Sequence, residues 1–532
     1  MSLLKSVATV GGYTMISRVL GFLRDILMAA ILGAGPVADA FLVAFRIPNM
    51  FRRLVAEGAF SAAFIPLFAR KLEQEGKDMA LEFASHALSI LVGFLLIFSA
   101  LFMIFMPFMM QFLAPGFGTE GLRFELAVDF TRITFPYLLA MAIVALLGGV
   151  LNAFYKFAAM AAAPILLNIV LIAFLLFGIG KTESDVGLLL SVGVALAGLA
   201  QVVFLVIACK RTGARVPLRR PVFNADIRRL FRLMLPGILG AGVMQINILV
   251  GTIIASYLAT GAISYLYYAD RVYQLPLGVI GIAVGTALLP MLSRQLRSGE
   301  ETTALYSMNR ALARALVKEA GLVLLEELAL LLTLPATAAL MVIPEEIISA
   351  LFRHGEFTAA ASEATAMALF AFASGLPAYV LVKIFAPGFF AREDTTTPVI
   401  VGVIAMILNV SLSLLLIQSF GHVGIALATS LSSWFNVMAL FIILRRRGHY
   451  AADARLLRRL VGIFLASLVM AAGLYVARRY LDGLLADDLA ARITLLALLV
   501  GGGMVLYALA ILAFGGAKPK EVKNMLKRRP SK

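Results

Sequence analysis

The sequence predicts an all-α polytopic membrane protein of about fourteen transmembrane helices, each needing about 20 mostly apolar residues to cross a bilayer. Three observations carry this expectation. Of 532 residues 61% are hydrophobic and only 14% charged, and the mean hydropathy is +0.96. Apolar runs of spanning length recur along the whole chain, separated by short polar loops, with no polar stretch long enough for an extramembrane domain. The runs also lack the period-two alternation of a membrane barrel.

Apolar length and loop signals place the spans, in order, at 6–32, 36–69, 83–111, 124–152, 158–180, 186–209, 229–259, 262–294, 304–343, 361–390, 397–418, 421–444, 457–477 and 491–514. An even number puts both ends on one side. The net charge of +16 is concentrated at Lys210–Arg232, Arg445–Arg459 and Lys518–Lys532. These clusters follow spans six, twelve and fourteen, and the positive-inside rule makes that side cytoplasmic. The acidic loops Glu183–Asp185 and Asp482–Asp488 then fall outside. Nucleic acid is thereby excluded as the partner that the basic charge serves. The N-terminus reads as an uncleaved first helix rather than a signal peptide. Prolines 48, 66, 276, 290 and 377 lie inside spans, as kinks or hinges.

The first two spans are the most unusual. Arg18, Arg24, Asp25, Asp39, Arg46, Arg52, Arg53 and Glu57 lie within them, five arginines against three carboxylates. Each charge at the bilayer centre costs roughly 2.5–3.5 kcal/mol on insertion scales, so such residues face a protein interior or a watery cavity. A surplus of arginine suits an anionic ligand, because the guanidinium fork matches phosphate oxygens in pairs. Arg18 and Asp25 are seven apart and share a face, as do Asp39, Arg46 and Arg53, with Glu57 one turn beyond.

An internal repeat follows. Ile65-Pro66-Leu67-Phe68-Ala69-Arg70-Lys71-Leu72 resembles Leu289-Pro290-Met291-Leu292-Ser293-Arg294-Gln295-Leu296, and Ala44-Phe45-Arg46 aligns with Ala269-Asp270-Arg271. The repeat recurs after six spans, so the two halves share one orientation, and substrate is expected between them near the midplane. From Arg70 to Pro107 is 37 residues and from Arg294 to Pro344 is 50, a surplus of thirteen assigned to 313–327. The expected divisions are a six-helix lobe at 1–222, a second at 223–447, and two further helices with a basic tail at 448–532.

Enzyme chemistry finds little support. The four histidines (86, 354, 422, 449) are scattered without metal-ligand spacing, no phosphate-binding glycine loop is present, and the single Cys209 forms no internal disulfide. No cofactor is expected. A membrane transferase would need a metal-binding carboxylate pair, for which Arg392-Glu393-Asp394 is the one weak candidate.

Several motifs resemble the MurJ (MviN-type) lipid II flippases of the multidrug/oligosaccharidyl-lipid/polysaccharide exporter superfamily. They are Ser17-Arg18-Val19-Leu20-Gly21-Phe22-Leu23-Arg24-Asp25, Asp39-Ala40-Phe41, Arg52-Arg53 with Ala56-Glu57-Gly58-Ala59-Phe60, Ala114-Pro115-Gly116-Phe117, Ile133-Thr134-Phe135-Pro136-Tyr137, Tyr267-Tyr268-Ala269-Asp270-Arg271, and Ala386-Pro387-Gly388-Phe389. The resemblance covers essentially the whole chain. It implies two six-helix lobes plus two C-terminal helices in the bacterial inner membrane, and alternating access. It also implies a cationic central cavity for the headgroup of lipid II, the undecaprenyl-diphosphate-linked disaccharide pentapeptide, and a groove beside the last two helices for its tail. By motif match Arg18, Arg24, Arg52 and Arg271 bind substrate, with Asp25 as a gate residue and Asp39 and Glu57 as acidic partners. Ser17, Arg46, Asn49, Arg53 and Asp270 are secondary candidates. Membrane lipids and cell-wall synthesis proteins are the further partners considered. Some members carry an acidic residue in span seven associated with sodium; here Gly251 lies near that point, leaving the coupling ion open. The alternative reading is an exporter of another lipid-linked glycan, or of drugs, in the same superfamily.

Overall fold

A computed structural model describes residues 3–278, 326–327, 329–390, 392, 394–448, 450, 454–481 and 488–515. The described residues are helical and loop segments with no strand among them. The expected all-α membrane fold is observed. Eight described helices are long and apolar enough to span a bilayer, or nine when one bent pair counts as a single span. The second copy of the repeat (289–296), Pro290 and the basic tail from Lys518 lie outside the described residues, as does all of 313–327 except Glu326 and Glu327.

The chain divides into two compact units, Met1–Ser264 with His354–Ala361, and Tyr265–Arg353 with Ser362–Lys532. The first contains α1 (Leu3–Leu32), α2 (Pro36–Phe51), a π-helical stretch Arg52–Phe60, α3 (Ser61–Gln74), α4 (Lys77–Ile104), α5 (Met106–Leu113), α6 (Leu122–Thr134), α7 (Tyr137–Ala153), α8 (Phe157–Phe177), α9 (Glu183–Arg211) and α10 (Ala225–Ser256). Local chemistry sets the ends of these helices. Pro36 occupies the first turn of α2, where its missing N–H is not needed. Thr182 and Asn224 cap α9 and α10 by accepting from Asp185 N and Ile227 N. Glu183 and Asp185 begin α9 and Lys210 and Arg211 end it, so charge and helix dipole agree.

Pro48 and Pro107 mark the irregular points. Four residues after Pro48, the backbone changes from α to π over Arg52–Phe60. Each π turn holds an extra residue, so the helical phase that aligns Asp39 with Arg46 does not extend to Glu57. At Phe105 the helix breaks, and Pro107 opens the short α5. Span three is thus two helices where the sequence suggested one. Packing in this unit is dominated by stacked phenylalanines: Phe64 against Phe60, Phe68 and Phe83, and Phe135 against Phe102. Phe94, Ile97, Leu101, Ile104, Phe108 and Phe112 point outward along α4–α5, as a lipid-facing stripe requires.

The second unit contains most of α11 (262–278), then α12 (Ala329–Val342), α13 (Pro344–Phe352), α14 (Ala359–Ala373), α15 (Leu376–Phe390), α16 (Thr396–Arg446), α17 (Ala454–Leu481) and α18 (Leu489–Ala513). α12 and α13 meet at 79° where Pro344 opens the second helix. This repeats the Pro107 break in the first half. The long α16 is broken at Gly421, whose φ of 54° and ψ of −130° are not helical; it separates the two spans expected at 397–418 and 421–444. The core runs through Ala378, Leu381, Phe385, Phe389, Val437, Leu440 and Leu444. α17 and α18 pack through Ile463, Ala466, Ala510 and Ile511. On the loop side, Tyr450 donates to Glu326 and Arg459 pairs with Glu327.

Candidate functional site

The charges of α1 and α2 are arranged as three separate clusters in the first unit. In the first, Arg24 and Asp25 are only 7% and 1% exposed. Arg24 donates through Nε and Nη2 to Asp25 Oδ1 at 3.1 and 2.6 Å, and through Nη1 to Asn168 Oδ1 at 3.1 Å. Its guanidinium also lies over the Phe45 ring, 5.7 Å from the centroid. A buried charge of this kind requires a partner, and here its neighbour in sequence provides one. Ser17, two turns earlier on α1, receives Asn168 Nδ2 on its carbonyl at 2.9 Å. Arg18 is exposed.

The second cluster centres on Asp39, which is fully buried. Its carboxylate accepts from Gly261 N at 2.7 Å, Ser264 N at 3.0 Å and Ser264 Oγ at 2.7 Å, and Arg123 is 4.0 Å away. An acid at the amide-rich N-terminus of α11 satisfies orphan donors and the helix dipole together. Arg123 lies over the Phe117 ring at 4.8 Å. The acidic partner expected for a cavity arginine is therefore spent on a helix start and on Arg123, a residue that sequence reasoning did not single out.

The third cluster follows α2 downward. Arg46, half-buried, donates to Thr252 Oγ1 of α10 at 2.7 Å and lines a small cleft with Val43, Met50, Leu113 and Ile248. Arg52 donates to Asn49 Oδ1 at 3.1 Å, and Asn49 Nδ2 donates to Phe45 O at 2.7 Å. Arg53 is exposed, and the side chain of Glu57 lies outside the described residues.

In the second unit, Arg271 is half-buried on α11. It donates to the Tyr267 hydroxyl at 3.0 Å and lies 4.8 Å above the same ring. Asp270 accepts from Gln274, one turn on. Sequence reasoning missed Asn168, Arg123, Thr252 and Ser264; Asn168 and Thr252 are single polar residues in apolar stretches, whereas Arg123 lies among Glu125, Asp129 and Arg132 on the charged helix α6.

Apolar helices of spanning length, together with an arginine buried against a carboxylate and an amide, define a multi-pass membrane transporter of all-α build. The fold matches a solved structure titled "Lipid II flippase MurJ, inward closed conformation", with a TM-score of 0.76 at 23% identity, covering 97% of this chain and 99% of that one. It also matches an inward-facing multidrug resistance MATE transporter of the MOP superfamily, with a TM-score of 0.63 at 15% identity over 83% and 97%. The family profile described as "Lipid II flippase MurJ" matches residues 28–492. A Rhizobium meliloti (strain 1021) protein named "Probable lipid II flippase MurJ" is 44% identical over 533 residues, covering 99% of this chain and 97% of the relative. The "Lipid II flippase MurJ" of Burkholderia cenocepacia is 34% identical, over 88% and 89%. The chain belongs to the MurJ family.

Proposed function

We propose that the protein moves lipid II from the cytoplasmic to the outer leaflet of the bacterial inner membrane by alternating access. The observation that supports this best is Arg24, a guanidinium buried among apolar helices and ion-paired with Asp25. An ionisable group among apolar membrane helices marks a functional site, and a guanidinium there suits an anion. Arg18, Arg24, Arg52 and Arg271 would bind the diphosphate, whose charge prevents unaided passage through hydrocarbon. Asp25 would hold Arg24 until a phosphate oxygen takes its place, so that neither charge is left without a counterion. The lobes 1–222 and 223–447 would alternate in access while the tail stays in lipid beside 448–532, and both termini would be cytoplasmic.

Depleting the protein tests the reading: lipid II should accumulate on the inner leaflet, and accumulation of a different lipid-linked glycan would favour the alternative substrate. Arg24→Ala and Arg271→Ala should remain in the membrane but fail to complement. Lysine at either position should rescue only in part, since it lacks the bidentate fork. For orientation, cysteine at Gly213 or Gly448 should resist an impermeant thiol reagent in intact cells, while cysteine at Ser184 should label. The reverse pattern would invert the topology.

A further inference from the structure

We infer that Asn168, on α8, is a positioning residue for Arg24: its side-chain amide aims the guanidinium without adding charge to it. The inference rests on the reading of Arg24 as a diphosphate ligand. Asn168 lies in the run Pro164-Ile165-Leu166-Leu167-Asn168-Ile169-Val170-Leu171 and is 6% exposed. An amide in such surroundings is unfavourable unless it is hydrogen-bonded. Both of its ends are used. Oδ1 accepts from Arg24 Nη1 at 3.1 Å, while Nδ2 donates to Ser17 O at 2.9 Å, with Ser17 Oγ at 3.4 Å. The chemistry fixes the orientation, because a guanidinium only donates and a carbonyl only accepts.

Ser17 and Arg24 are seven residues apart, two turns along one face of α1, so a single amide spans both. Gly21 lies between them. A Cβ there would be 3.5 Å from Asn168 Nδ2, so the asparagine lies directly over that part of the helix. Arg24 is consequently held on two sides, by Asp25 and by Asn168, and its rotamers are restricted before substrate arrives. Preorganisation of this kind reduces what binding must spend on ordering a long side chain.

The type of residue matters as much as its position. Asp25 already balances Arg24, so the pair is neutral and can accept an anion by exchanging one carboxylate for phosphate. A second carboxylate at 168 would make the cluster net negative and set two acids against the incoming diphosphate. Asparagine provides the same acceptor geometry with no charge. A residue that merely ties α8 to α1 through Ser17 would show no such dependence on charge.

The full-length protein in detergent provides the test, with lipid II binding and thermal unfolding measured for Asn168→Asp, Asp25→Asn, the double variant, Asn168→Ala and Arg24→Ala. Asn168→Ala should weaken lipid II binding about tenfold, the size of one hydrogen bond to a charged group. Asn168→Asp, nearly isosteric, should weaken it further. The double variant Asp25→Asn/Asn168→Asp restores one carboxylate and one amide around Arg24, and should bind better than Asn168→Asp alone, giving a favourable coupling in the double-mutant cycle. Should Asn168→Asp fail to accumulate, the folded double variant decides, since it carries the wild-type number of carboxylates. Wild-type affinity in a folded Asn168→Asp, or a folded double variant that does not bind, would overturn the inference. Wild-type affinity in Arg24→Ala would instead remove the diphosphate reading on which it rests.

Discussion

Two loops of the first compact unit occupy corresponding places in the repeat, yet are built differently. Ala114 to Phe117 follows α5, and His354 to Phe357 follows α13, at an offset of 240. Each buries its phenylalanine, Phe117 or Phe357, and each presses backbone against the end of a long helix. Loop 114–117 docks on the end of α10: Gly116 N donates to Ser256 Oγ at 3.0 Å, and a Cβ on Gly116 would lie 2.3 Å from the Ser256 carbonyl carbon. Loop 354–357 docks on the end of α1: Glu356 N donates to Ala30 O at 2.9 Å, and a Cβ on Gly355 would lie 2.1 Å from that oxygen.

The repeat that aligns Arg46 with Arg271 also aligns α1 with α10 and Asp39 with Ser264, which are hydrogen-bonded to each other. Loop 114–117 therefore grips α10 and loop 354–357 grips α1, the two helices that the sequence repeat aligns. This explains why α10 and His354–Ala361 cluster with the N-terminal helices. Compactness follows contacts, whereas the repeat is a pattern of sequence. The loops differ in what supports them. Loop 114–117 has a cation over its aromatic ring, Arg123 on Phe117. Loop 354–357 has a left-handed glycine, Gly355 at φ +62°, and a second acid near Glu356, namely Glu183.

The largest expected effect separates the two glycines. Gly355→Ala combines a left-handed strain of roughly 1–2 kcal/mol with a backbone collision and loss of the Ala30 bond, about 2–4 kcal/mol in all. Thermal unfolding in detergent should show it, along with faster exchange of the Glu356 amide. Gly116→Ala meets backbone at similar distance without the left-handed cost, and should lose about 1–3 kcal/mol. Equal losses would mean that conformation adds nothing to the asymmetry.

A smaller change tests the side-chain bond. Ser256→Ala removes the acceptor of Gly116 N and should cost about 1 kcal/mol, with exchange quickened at Gly116 and not at Glu356. Quickening at both amides would show that the two loops act as one body.

The smallest effect is electrostatic and confined to the second loop. Burial, then the nearby Glu356, raises the Glu183 carboxyl above its ordinary range. A raised folded-state value contributes stability that is fully present below the unfolded value and lost as pH rises through the folded one. Protection of the Glu356 amide should therefore increase as pH falls from neutrality toward the ordinary glutamate range. Glu183→Gln should flatten that dependence while leaving Gly116 unaffected; an undiminished slope would exclude Glu183 as its source.

Much of the architecture was legible from local pattern. Apolar length marked the spans, and a proline in the second half matched Pro107 as the start of a short helix. Gly421 breaks α16 where two spans had been separated. The arginine and aspartate of the first cluster were legible because they are adjacent in sequence. Their third member was not, since Asn168 lies 144 residues from Arg24 and a single asparagine in an apolar run carries no spacing to read. The π-helical stretch also escaped periodicity, because the seven-residue rule assumes an unbroken α-helix.

The sequence by itself determined the solvent, the helices, the placement of charge and the repeat, since each depends on residues close together along the chain. Only the tertiary structure decided which groups meet. Asp39 went to Gly261 and Ser264 rather than to a cavity arginine, loop 114–117 went to α10 and loop 354–357 to α1. Such choices depend on packing between distant segments, where a buried donor takes whichever acceptor the fold brings within about 3 Å.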